Sequence, residues 1–171
     1  MLWIAHAAYA AAALLMMAVL LMPLWIEPGG WPGPDLLTGL TFAWVLRRPE
    51  QVPALLIALV MLTADLMLQR PPGLWAALAL CASEVLRARR RTPRPLSFPM
   101  EWALVAVLIF AMALADWVLL TVTLAAHAPL PHMLAATAVT IAAYPVPAMA
   151  LRLAGIRRLD YPSGVIRRTR A

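Results

Sequence analysis

Apolar residues in this chain gather into long runs, and polar residues collect at the borders between them. The runs cover residues 3–24, 36–46, 53–68, 74–86, 102–126 and 133–154. The first, fifth and sixth match the roughly 20 residues that a helix needs to cross a hydrocarbon core of about 30 Å. The second and fourth, Asp35–Arg48 and Leu74–Arg87 with their flanks, are shorter, and about 14 residues reach only about 21 Å. A short run of this kind forms a re-entrant hairpin or spans where the bilayer thins. Asp35 stands as the N-cap of the second run, and Arg47 and Arg48 extend its reach by snorkelling.

Proline marks the breaks. Pro23 and the stretch Glu27-Pro28-Gly29-Gly30-Trp31-Pro32-Gly33-Pro34 end the first run, Pro49 and Pro53 precede the third, and Gln69-Arg70-Pro71-Pro72-Gly73 forms a tight turn after it. Pro99 opens the fifth run, and Pro129 and Pro131 precede the sixth. Within the sixth, Tyr144-Pro145-Val146-Pro147 predicts a kink, because each proline removes a backbone donor. The first run lacks a basic leader and has Pro23 and Trp25 where a cleavage site would need small residues, so it reads as a retained helix. Its Ala8-x-x-x-Ala12 pair permits close helix approach.

Charge orients the runs. All 14 basic residues are arginine. With the N-terminus inside, the internal segments hold Arg47 and Arg48, then Arg87, Arg89, Arg90, Arg91 and Arg94, then Arg152, Arg157, Arg158, Arg167, Arg168 and Arg170; the external loops hold only Arg70. Every loop then obeys the positive-inside rule. This pattern fails if either short run turns back, so it favours six crossings with both termini cytoplasmic. The expected class is an all-α integral membrane protein, with a six-helix transmembrane domain over residues 1–156 and a basic cytoplasmic tail over 157–171.

Composition agrees. The chain is 64% hydrophobic with a mean hydropathy of +0.82, more apolar surface than a soluble domain of 171 residues can hide. The net charge of +6 sits beside the membrane, which points to anionic lipids at the cytoplasmic face rather than nucleic acid. The lack of lysine removes Schiff-base, Ser–Lys and phosphate-loop chemistry. Cys81 is the single cysteine and reads as a small buried packing residue. Trp3, Trp25, Trp31, Trp75 and Trp102 lie near run ends, as an interfacial aromatic belt does.

Five polar residues in or beside the apolar runs are candidate partner contacts or buried polar ties: Asp35, Asp65, Gln69, Glu84 and Asp116. Asp65 sits one turn before Gln69, on one helix face near the external end of the third run. A helix–helix hydrogen bond is its plainest role; a partner contact and a ligand or ion site are the alternatives. Glu84 precedes Arg87 by three residues, an intrahelical pair. Asp116 shares a face with Met112, Ala113, Leu120 and Thr123, and serves either a bond inside the bundle or a contact to another membrane protein. Glu101 is explained as an acid at a helix N-terminus. His127 and His132 flank a proline turn rather than one helix face, so no metal site is expected. No nucleophile–base set or glycine-rich phosphate cradle is present, so neither catalytic residues nor a cofactor are expected.

The ordered set Pro34-Asp35-Leu36-Leu37, Phe42-Ala43-Trp44-Val45-Leu46-Arg47-Arg48-Pro49 and Ala64-Asp65-Leu66-Met67-Leu68-Gln69-Arg70-Pro71-Pro72-Gly73-Leu74, with the late Tyr144-Pro145, resembles the MreD family of rod-shape-determining membrane proteins, in its alphaproteobacterial form. The resemblance implies a non-enzymatic inner-membrane component of the bacterial cell-elongation complex, which supports lateral peptidoglycan synthesis. It implies an MreC-like bitopic partner and proximity to a RodA-type polymerase, a class B penicillin-binding protein and MreB filaments. It also implies a fold similar to the six-helix substrate-capture subunits of energy-coupling-factor transporters. The competing expectation is a substrate-binding subunit of a vitamin-type transporter, with an external pocket built from Asp35, Asp65, Gln69 and the first loop.

Overall fold

The computed structural model describes residues 2–21, 33–90 and 97–156. The segment with Trp25 and Trp31, the stretch with Arg91 and Arg94, and the tail 157–171 lie outside the described residues. Helices are α1 (Leu2–Leu21), α2 (Leu36–Arg47), α3 (Ala54–Met67), α4 (Leu74–Arg90), α5 (Phe98–Val122), α6 (Leu130–Ala143) and α7 (Pro145–Leu153), with a 3-10 turn over Pro49–Gln51 between α2 and α3. Among the described residues there is no strand.

Among the described residues three helices are long and apolar enough to cross a membrane: α1, α5 and the composite of α6 and α7 over Leu130–Leu153. They are consistent with a membrane protein. The other three runs form helices of 12, 14 and 17 residues, about 18, 21 and 26 Å long. Large apolar side chains remain exposed along the outside of α1, α3, α5, α6 and α7, including Trp3, Leu59, Phe110, Leu134 and Met149. An apolar surface this extensive needs a lipid or protein partner.

α2 occupies the centre. Every residue from Leu37 to Arg47 is buried, and α1, α4, α6 and α7 all pack on it. A helix apolar all round belongs inside a bundle, so α2 is a core helix and not one of the lipid-facing spans. Gly39 allows the closest approach: a Cβ there would stand 3.3 Å from Pro147 Cγ.

α1 packs through Tyr9, Ala13 and Met17, spaced i, i+4, i+8. Of the small pair expected at Ala8 and Ala12, Ala12 packs partly against the core while Ala8 is exposed. Tyr9 donates to Thr41 Oγ1 at 2.9 Å while Thr41 donates to the Leu37 carbonyl, and the Tyr9 ring meets Trp44 edge-on. The expected kink falls at Tyr144. Pro145 has no N–H to offer the Ile141 carbonyl, which accepts instead from Tyr144 N and from Trp102 Nε1, at 3.3 and 2.8 Å.

Candidate functional site

Polar chemistry gathers at two ends of the central helix. At its start, the Asp35 carboxylate caps α2 by accepting from Thr38 N at 3.1 Å, and its other oxygen pairs with Arg70 Nη1 at 3.1 Å. The Asp35 amide donates to Thr140 Oγ1 at 3.0 Å. Arg70 lies over the Trp75 ring, 5.3 Å from its centroid, and Trp75 Nε1 donates to Thr38 Oγ1. Trp75 is therefore an internal tie, not a free member of an interfacial belt.

Asp65 is fully buried at the end of α3. One of its oxygens accepts from Gly73 N and Ala76 N, at 3.0 and 3.1 Å, so α3 caps α4 across the turn. Its other oxygen has no hydrogen-bond partner among the described residues. Gln69 does not share this environment. α3 ends at Met67, Gln69 takes a left-handed φ of +54°, and Arg70 N closes back on the Asp65 carbonyl at 2.9 Å. This Schellman turn leaves the Gln69 side chain exposed, which separates it from Asp65.

Asp116 lies half-buried on the stripe of α5 that also buries Met112, Ala113 and Leu120, within electrostatic range of Arg70 and Asp65. It makes no hydrogen bond or ion pair with a described residue. Glu84 is remote from this group, exposed, and paired with Arg87 at 3.1 Å as its spacing predicts. Cys81 is exposed rather than buried, because the outer face of α4 carries it together with Glu84 and Val85.

At the far end of α2, Arg47 does not snorkel: it is 2% exposed and turned inward. Its guanidinium donates to the Ala43 and Ala148 carbonyls at 2.8 and 3.0 Å and meets Glu101 Oε1 at 3.3 Å. Tyr144 donates to the same oxygen at 2.6 Å. Glu101, expected only to favour a helix N-terminus, thus joins α2, α5 and the α6–α7 break. Breaking such a buried pair typically costs about 3–5 kcal/mol. Arg87 also donates to the Val52 carbonyl at this end, and Arg152 lies over the Phe98 ring. Arg47, Arg48, Arg87 and Arg152 therefore cluster at one end of the bundle.

Among the described residues no three His, Cys, Asp or Glu side chains are placed to hold a metal. Comparison with family models, with curated proteins and with solved structures returns no match for this chain.

Proposed function

We propose that this protein is a non-enzymatic, MreD-like membrane component of the cell-elongation complex, and that it binds the transmembrane helix of an MreC-like bitopic protein. The chain crosses the inner membrane six times, through α1, α2, α3, α4, α5 and α6–α7, with both termini cytoplasmic and a substrate-capture-subunit type of helix arrangement. The observation that carries this reading is the direction of the polar groups. Asp35, Asp65, Arg47 and Glu101 are turned inward to tie helices together, while α1, α3, α5 and α6–α7 present apolar outer faces. That is how a helix-presenting scaffold is built: small residues and a few polar contacts supply association where lipid removes the hydrophobic drive.

The transporter alternative requires Asp35, Asp65 and Gln69 around an external pocket. Asp35 is engaged by Arg70 and Thr38, Asp65 by the α4 amides, and Gln69 lies on an exposed turn. The arrangement favours the scaffold.

Depletion should round the cells, and the protein should co-purify with full-length MreC through membrane helices. The described external connections, 68–73 and 123–129, are too short to supply the roughly 800 Å² per partner of a standard interface. An MreC truncated to its soluble domain should bind far more weakly. Equal binding by the soluble domain removes the mechanism, and co-purifying vitamin-like ligands with intact cell shape replace it with transport.

A further inference from the structure

Pro145, Met149 and Arg152 stand at i, i+4 and i+7 on one face of α7. With Phe98, the first residue of α5, they line an open groove of about 140 Å³. One turn along α5, Trp102 donates to the Ile141 carbonyl, one turn before Pro145, so two aromatic rings of α5 flank the stripe. The groove is apolar along its length and ends in a cation. Arg152 is exposed, its guanidinium is held 5.2 Å from the Phe98 centroid, and it pairs with no carboxylate among the described residues. By contrast, Arg47, Arg48 and Arg87 at the same end each have an acidic partner.

We infer that this groove is a binding site for one anionic phospholipid. The phosphate meets the Arg152 guanidinium, whose planar fork suits phosphate oxygens. An acyl chain lies along Pro145 and Met149 beside the Phe98 ring, and Trp102 sits at headgroup level, where amphipathic aromatic rings are favoured. Phe98 acts as the positioning residue, holding the guanidinium at the groove end. A cation without a carboxylate partner among the described residues favours an anionic over a zwitterionic headgroup. Only the leaflet, the cytoplasmic one, rests on the topology proposed above; the site itself does not depend on the elongation role.

The test uses the purified full-length protein in neutral detergent, with lipid binding read by native mass spectrometry and by thermal stabilisation. The probes are phosphatidylglycerol, phosphatidylcholine of the same chains, and inorganic phosphate. Wild type should retain one phosphatidylglycerol preferentially. Arg152→Gln should weaken it about tenfold, the loss of one charge-assisted hydrogen-bonded contact. Met149→Trp, which fills the groove and keeps the cation, should weaken it too. Arg89→Gln, an exposed arginine on α4 outside the groove, should not. Equal losses for Arg152→Gln and Arg89→Gln would reduce the effect to diffuse surface attraction and overturn the site. Binding of inorganic phosphate as tight as that of lipid, or unchanged binding by Arg152→Gln, overturns it as well. Unfolding temperatures without added lipid verify that each variant folds.

Discussion

Asp65 shows how one carboxylate can organise a turn. The first amides of α4 have no partner within their own helix, and Asp65, reaching across from α3, accepts two N–H groups there, from Gly73 and Ala76. An amide oxygen can accept the same pair. Asp65→Asn should therefore cost less than about 1 kcal/mol, whereas Asp65→Leu leaves two donors stranded and should cost about 2–5 kcal/mol. Thermal unfolding in detergent separates the two; equal stability of both variants would show that the capping bonds contribute nothing. The candidate residues that the sequence exposed most clearly were those with local partners. Asp35 three residues before Thr38 and Glu84 three before Arg87 are spacings that a helix dictates. Arg47, Glu101 and Tyr144 are separated by 54 and 43 residues, and no local pattern links them. The only available signal was that Arg47 and Glu101 border two adjacent internal segments and that Tyr144 precedes a proline break.

At the scale of the element, run lengths and proline positions placed the helices, but not their faces. In α1 almost every residue is apolar, so the buried stripe Tyr9–Ala13–Met17 has no contrast in the sequence, and of the Ala8–Ala12 pair only Ala12 reaches the core. The same uniformity hid the central position of α2, because an apolar helix looks alike whether lipid or protein surrounds it. Gln69 was misplaced for a different reason: the i, i+4 spacing from Asp65 holds only while the helix continues, and α3 stops at Met67. Gly39 is the informative position in α2. It lets Tyr144 and Pro147 close on the helix, and a Cβ at 3.3 Å from a proline ring carbon meets a neighbour that cannot rotate aside. Gly39→Val should destabilise the fold by about 1–3 kcal/mol, the usual range for overpacking, despite better intrinsic helix propensity. Urea or thermal denaturation of the detergent-solubilised protein checks it; a stabilised Gly39→Val would show that α2 and α7 are not in close contact.

For the whole molecule, the contacts give the arginine pattern a physical location. Arg47 meets Glu101, Arg87 meets the Val52 carbonyl and Arg152 meets Phe98, so the ends of α2, α4 and α7 and the start of α5 share one end of the bundle. Asp35 bonds to Thr140, ten residues into α6, which sets the start of α2 about 15 Å along that helix from its first residue. The Asp35–Arg70 pair therefore marks the opposite end of the bundle from the arginine cluster. The six crossings proposed above demand that the Asp35 end face outward and the arginine end face the cytoplasm. The single native cysteine makes the demand measurable in a Cys81→Ser background, using Gln69→Cys and Arg89→Cys, both at exposed positions. In intact spheroplasts, a membrane-impermeant maleimide should label Gln69→Cys directly and Arg89→Cys only after permeabilisation, and a reporter fused after Ala171 should read internal. External labelling at Arg89→Cys would mean that α4 does not cross. An external C-terminus would reverse the bundle and leave thirteen of the fourteen arginines to be carried across the membrane, the arrangement the positive-inside rule disfavours.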